Sequence, residues 1–407
     1  MDGSASHSNT PLPERLSARA AAEILGVSLA TLYAYVSRGL LEASAPGAGR
    51  RKSYGRDQVL QLAARRADAK RAGHVATAAM SWGMPVLETS VSGIVNGQLR
   101  YRGRDPLQLA ERASLEQTAA LLWGLPPQAN AFERWLPCWP QAQLMPVLQA
   151  LSEQPPLERA KAMLPLYAAL TEASACSDEP LAQAVDLMRV LAALLLARPP
   201  SLQPLHLQVA QAWGLGELDA ELIRAALVLL ADHELNASTF ALRCVAATGA
   251  SLAASLGAAL AALSGPQHGG GSLAVRQLLD SALARLDPSQ ALADHGDALP
   301  GLGHPLYADG DPRGRLLLTL LARTSGTCLR SQRVLAIGQA AASRSGRAPN
   351  ADWALGALGA ARRWPLHAGS VLFALGRSAG WIAHAREQQA QGSLIRPRAR
   401  YIGPLGA

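Results

Sequence analysis

"DHELNASTFALR", residues 232–243, sets a histidine beside a glutamate, then an asparagine, then a run with the apolar spacing of a helix. His233-Glu234 invites comparison with a zinc-protease helix. That chemistry needs a second histidine four residues on, so that both imidazoles face one metal across a single turn. Position 237 is Ala237, and no other histidine lies within a turn, so no metal site is expected. Two readings are left for His233: a hydrogen-bond donor to an anionic ligand, or a helix histidine bonded to a nearby carbonyl.

The surrounding chain has 407 residues, of which 49% are hydrophobic and 17% charged, a globular composition with room for more than one domain. Only three Phe and seven Tyr occur, so strand formers are scarce, and an all-α fold is expected. Cys138, Cys176, Cys244 and Cys328 are scattered without a C-x-x-C pair, which argues against a zinc ribbon or disulfide framework and fits a reducing compartment. The opening "MDGSASHSNTPLPE" has neither the basic nor the apolar region of a signal peptide, and residues 1–13 read as disordered. The apolar stretch at 187–197 is interrupted by Arg189 and falls short of the ~18 residues of a membrane span. A soluble, cytoplasmic chain with no membrane partner is the expectation.

The formal charge of +8 is concentrated at one end: residues 1–75 carry eleven Lys/Arg and six Asp/Glu. There "LSARAAAEILGVSLATLYAYVSRGLL" (16–41) parses as two short helices, with Ser17 and Ser28 as caps and Gly26 as the joint. A basic loop with Arg50, Arg51 and Lys52 follows, then a helix from about Asp57. The segment 14–72 resembles the winged helix-turn-helix of MerR-type and excisionase-type regulators. That resemblance places the second helix in a major groove, with Thr31, Tyr33, Ala34 and Arg38 near the bases and the loop beside the backbone. The alternative is a helical hairpin used for assembly.

Beyond residue 82 the chain reads as helices separated by Pro and Gly, except that "SGIVNGQLRYRGRD" (92–105) alternates around Asn96-Gly97 as a small hairpin does. Several motifs stand among turn residues: "GPQHGGG" (265–271) with His268, "GLGHPLYADGDPRG" (301–314) with His304 and Arg313, and "PNADWALG" (349–356) with Asp352. "LFALGRSAGW" (372–381) places Arg377 on a helix interrupted by Gly376 and Gly380, and "LIRPRARYIGP" (394–404) ends on Arg396 and Arg398 in a proline-held tail. Singly, each has a plain structural reading: a cap, a turn or a surface charge.

In this order the motifs match one family. From about residue 85 onward the chain resembles citrate synthase. The resemblance implies a large helical domain (82–267 and 366–407), a smaller one (268–365) that closes over oxaloacetate, and a homodimer or higher homo-oligomer. It also implies the reaction, condensation of acetyl-CoA or a short acyl-CoA with oxaloacetate, with the acyl-CoA a substrate and no cofactor.

The chemistry accounts for the residue types. A carboxylate must take a proton from a weakly acidic methyl carbon, and Asp352 matches that base. A preorganised donor must hold the enolate oxygen, matched by His268. A second donor must serve the ketone oxygen, matched by His304. His233 matches an oxaloacetate-binding histidine, and Arg313, Arg377 and Arg396 match the arginines that grip its carboxylates, the last reaching in from a partner subunit. The chain departs from the family at Gln267, at Gly271-Ser272 and after Asp352, where Trp353-Ala354-Leu355 replaces an aromatic pair and a serine. Three classes follow: an active synthase of citrate or 2-methylcitrate; a DNA-binding regulator whose body senses oxaloacetate or acyl-CoA; or an N-terminal domain used only for assembly. The intact Asp352, His268 and His304 favour the enzyme, since a sensor needs the arginines but no base.

Overall fold

The structure, a computed structural model, describes residues 14–37, 40–44, 52–63, 87–126, 131–172, 179–296, 298–397, 399 and 401–403. The chain divides into two compact units, Met1–Glu88 and Thr89–Ala407.

In the first unit, Ser17 caps the helix Ala18–Leu25 by accepting from Ala20 N at 3.2 Å, and Gly26 ends it at φ 60°, a left-handed conformation that costs glycine little. The next helix, Leu29–Ser37, begins where Ser28 Oγ accepts from Thr31 N, and the two helices are bent by 95°. That angle lies within the range of a helix-turn-helix. Strands Arg15–Ser17 and Ser53–Gly55 pair antiparallel, and a helix covers 56–63. Leu16, Ala21, Leu25, Leu32, Tyr54 and Val59 fill this unit's own core. Tyr33 is 48% exposed and Lys52 is exposed. Thr31 is half-buried, with its hydroxyl 2.9 Å from Ser28 Oγ at the helix start. Arg38, Arg50 and Arg51, with the rest of the expected basic loop, lie outside the described residues.

The second unit is helical apart from the expected hairpin, Ser92–Val95 paired with Gln98–Tyr101 across Asn96 (φ 52°) and Gly97 (φ 72°). Its core is one continuous apolar cluster. Among the described residues no single helix is long and apolar enough to cross a membrane. Arg189, which breaks the apolar run, is buried and donates to the carbonyls of Phe132 and Ser201.

Contrary to the sequence expectation, Gly376 and Gly380 do not interrupt their helix; Ala368–Gln391 is continuous. They thin it instead. A Cβ on Gly376 would lie 2.9 Å from the Leu227 carbonyl, and one on Gly380 would collide with the Asp232 carboxyl. The absence of both side chains lets this helix press against residues 227–232, directly before His233.

Candidate active site

Four helices begin close together, and their N-terminal ends carry the motifs. Asn236 caps Ala237–Ala246 by accepting from Ser238 N and Thr239 N, and Asn350 caps Ala351–Arg362 by accepting from Asp352 N and Trp353 N. Asp311 caps Pro312–Ser325 by accepting from Arg313 N, with Pro312 at the first helical position, where its missing N–H costs nothing. The fourth, Gly271–Ala284, starts where a Cβ on Gly271 would lie 2.8 Å from the Asp352 carboxyl. Side chains link these starts: His268 Nε2 lies 2.9 Å from Ser238 Oγ, and Asp311 Oδ2 accepts from Ala351 N at 3.0 Å. Each helix start carries partial positive charge, so the cluster suits an anionic ligand.

His233 is not on a helix, as one of its two readings had it. It sits in the loop before Ala237 and is buried, its Nε2 2.8 Å from Tyr307 Oη and its ring edge-on to His304 at 5.1 Å between centroids. The segment 301–304 is pinned to 348–350, because Gly303 N donates to the Ala348 carbonyl at 2.7 Å and Asn350 N to that of Gly301 at 2.9 Å. His304 and Asp352 are thereby held on neighbouring segments.

Burial and positive neighbours set the electrostatics. Desolvation, then Arg313 and Arg377, holds His233 well below its ordinary value. Desolvation and Arg377 take His268 to about 4, and desolvation and Arg313 take His304 to about 4 against an opposing push from Asp311. All three imidazoles are therefore neutral at neutral pH. His304 Nδ1 accepts from Leu306 N at 3.2 Å, so its single proton is on Nε2, which makes that nitrogen the donor. His268 uses Nε2 on Ser238, which leaves Nδ1 to face a ligand. For Nδ1 to donate, Ser238 must give its hydroxyl proton to Nε2 rather than to Asn236 Oδ1, 2.7 Å away.

Asp352 behaves in the opposite sense. Burial raises its carboxyl to about 6, with Arg313 pulling down and Asp311 pushing up, and Oδ1 is buried without a hydrogen-bond partner. A carboxylate in that state is a stronger base than one in water.

Arg377 is buried, donates through Nε to the Leu230 carbonyl at 2.9 Å and lies over the Phe373 ring. Arg313 is buried too, but two of its donors are already engaged: Nε and Nη2 bind Asp311 at 3.0 and 2.8 Å. The fork expected to grip a ligand carboxylate thus grips Asp311, which leaves the Nη1 edge for a ligand. Arg396 is exposed on the irregular stretch 393–397, and among the described residues no contact joins it to the other site residues. Among the described residues no cluster of ligands could hold a metal ion.

Sequence reasoning missed Tyr307, Ser238, Asp311 and the support beneath His233. Tyr307 and Asp311 stand inside the quoted motif between His304 and Arg313, and Ser238 inside the opening stretch, but no spacing rule marked them. Asp232 is fully buried between Ser92 Oγ and His384 Nε2, the latter at 3.2 Å. Burial pushes its carboxyl up, but His384, Arg377 and Ser92 outweigh this and hold it below the usual range. Arg243 extends the network to Glu387 at 3.0 Å and to Gln388 at 2.9 Å.

Comparison with known proteins finds one family over this part of the chain. The model of the family described as "Citrate synthase, C-terminal domain" matches residues 79–398. The putative citrate synthase 2 of Mycobacterium tuberculosis is 33% identical over 344 residues, covering 76% of this chain and 87% of that protein. The 2-methylcitrate synthase of the same organism is 29% identical over 357 residues, covering 79% and 89%. A citrate synthase from Thermoplasma acidophilum, solved as a ternary complex with carboxymethyl coenzyme A and oxaloacetate, superimposes with a TM-score of 0.65 at 26% identity, covering 80% of this chain and 95% of that one.

Proposed function

The chain belongs to the citrate synthase family and is an enzyme of that type, and we propose that it condenses acetyl-CoA, or a short acyl homologue, with oxaloacetate without a metal. The observation that carries this reading is the pairing of one carboxyl raised to about 6 with imidazoles held neutral at about 4 around it. Groups pushed apart in this way divide into base and donors.

Asp352 takes a proton from the acetyl methyl group. His268 donates to the thioester oxygen, where the negative charge of the enolate develops. The enol carbon then forms a bond to the ketone carbon of oxaloacetate as His304 Nε2 gives its proton to the ketone oxygen. Water hydrolyses the resulting citryl-CoA to citrate and CoA. His233, Arg313 and Arg377 hold the oxaloacetate, and Arg396 completes the site of a partner subunit in a homodimer. Closure of a smaller domain, about 268–365, excludes water during the reaction.

The acyl group is decided by experiment, because one methylene is worth only ~1–3 kcal/mol in a pocket. Free CoA is measured with acetyl-CoA and propionyl-CoA, with and without oxaloacetate. Oxaloacetate-dependent release from at least one is expected; none from either overturns the reading.

For the N-terminal unit we propose duplex DNA as the partner, on the 95° helix pair with a core of its own. Tyr33 is the candidate for base contact, and Arg38, Arg50, Arg51 and Lys52 for phosphate. Neutralising Z phosphates gives a log-log salt slope of about −0.9Z. Labelled duplex titrated at several salt concentrations should show a steep slope with the full chain and a shallow one without residues 1–75. Equal, weak binding by both proteins leaves the unit as an assembly module.

A further inference from the structure

One residue past His233, Glu234 has φ 52°, in the left-handed region that residues with a side chain usually avoid. Among the described residues Asn96, Arg102, Ala197 and Arg363 share that conformation. Asn96 and Arg102 stand in turns, and Ala197 and Arg363 end helices, where it is ordinary. Glu234 does neither: it lies in the loop between the helices Glu217–Leu229 and Ala237–Ala246. A strained residue persists where its surroundings over-determine it, and such residues gather at ligand sites.

The surroundings here are the hairpin. Glu234 N donates to Ser92 Oγ at 3.1 Å, and the Glu234 carboxylate accepts from Ile94 N through Oε1 at 2.7 Å. A hydrogen bond to a charged acceptor is stronger than one between neutral groups. The same strand grips the residue before the histidine, because Ser92 Oγ donates to the Asp232 carboxylate. Tyr101, on the second strand, brings its buried hydroxyl within 3.0 Å of the Leu229 and Asp232 carbonyls. His233 is thus fixed from both flanks while its ring faces Tyr307 and His304.

We propose that Glu234 is a positioning residue for oxaloacetate: its carboxylate, clipped to Ile94 N, holds the left-handed turn that aims the His233 ring at the ligand. This rests on the reading of His233 as an oxaloacetate-binding residue. Without the clip, a side chain at position 234 relaxes toward negative φ and carries the adjoining histidine with it. The loss falls on affinity more than on chemistry, since His304 and Asp352 stand on segments pinned to one another by Gly303 N and Asn350 N.

The test uses the full chain. Oxaloacetate Kd is measured by calorimetry without acyl-CoA, kcat by CoA release at saturating oxaloacetate, and stability by chemical denaturation. Glu234→Gln keeps an oxygen for Ile94 N and should bind within threefold of the wild type. Glu234→Ala removes the clip and leaves the backbone strained, so Kd should rise at least tenfold with kcat within threefold. Glu234→Gly removes the clip but relieves the backbone, so it should be at least as stable as the alanine variant. It should still bind at least threefold more weakly than the wild type. In a merely structural role affinity follows stability, so a glycine variant that binds within threefold of the wild type overturns the proposal. A glutamine variant as weak as the alanine one, or a loss of kcat with Kd unchanged, also overturns it. If the alanine variant does not fold, the glycine and glutamine variants decide. Wild-type protein that binds no oxaloacetate overturns the reading of His233 itself, and this proposal with it.

Discussion

Asp352 concentrates the conflict between stability and activity in one side chain. Its folded-state value, about 6, lies above the ordinary 3.8, so the folded protein holds the proton more tightly than the unfolded chain. The penalty of ionisation is absent below about pH 4, grows as pH rises toward 6 and is complete above that. Asp352→Asn removes it, and a shift of this size corresponds to about 3 kcal/mol. The variant is therefore expected to be more stable than the wild type at pH 7.5 in chemical denaturation, by up to that amount, and no more stable at pH 4. Turnover should be lost at least a hundredfold, since an amide accepts no proton from carbon, while oxaloacetate affinity stays within a few-fold. An inactive variant without the neutral-pH gain would show that the carboxyl is not raised. The same value places the acid limb of the wild-type pH profile: kcat/KM should fall about tenfold per unit below roughly pH 6. His268 and His304, at about 4, contribute nothing to that limb at its midpoint.

At the scale of elements, the site is a meeting of helix starts, and their caps are also the motif residues. Asn236, Asp311 and Asn350 satisfy backbone N–H groups while His233, Arg313 and Asp352 stand within three residues of them. Gly271 is where one helix start meets the base: the approach of 2.8 Å leaves no room for a methyl group. Gly271→Ala should therefore displace the Asp352 carboxyl and lower kcat by one to two orders of magnitude. Alanine favours the helix interior over glycine by ~1 kcal/mol, so unfolding stability should change little. Unchanged kcat in the folded variant would mean that the carboxyl has room to move without loss.

The whole assembly decides whether the site is complete. Within one chain Arg396 is exposed while Arg313 and Arg377 are buried, and its proposed role calls for a second subunit. Arg396→Ala and Asp352→Asn are each expected to be inactive alone. Mixed and allowed to exchange subunits, they should recover activity, since each heterodimer holds one site with Asp352 and the partner's Arg396 both intact. Exchange proven by mass, with no recovery, would place Arg396 in its own chain's site or outside the reaction.

The sequence by itself determined the helical class, the Asn96-Gly97 hairpin, the caps at Ser17 and Ser28, and the order of the motifs that the family match bears out. These are local properties, set by backbone conformation and side-chain type over a few residues, so a linear reading reaches them. It misjudged Gly376 and Gly380 because helix propensity sees only the cost of a glycine; their close approach to residues 227–232 is visible only in three dimensions. It missed the Asp232–His384 pair for the same reason, since the partners stand 152 residues apart without any shared period. The engagement of Arg313 by Asp311 was hidden although the two are two residues apart, because only packing shows that the guanidinium turns back to its own helix cap. Tertiary structure alone decided the protonation states. An aspartate at about 6 and imidazoles at about 4 are products of desolvation and of charges brought together from distant segments, and residue identity carries neither.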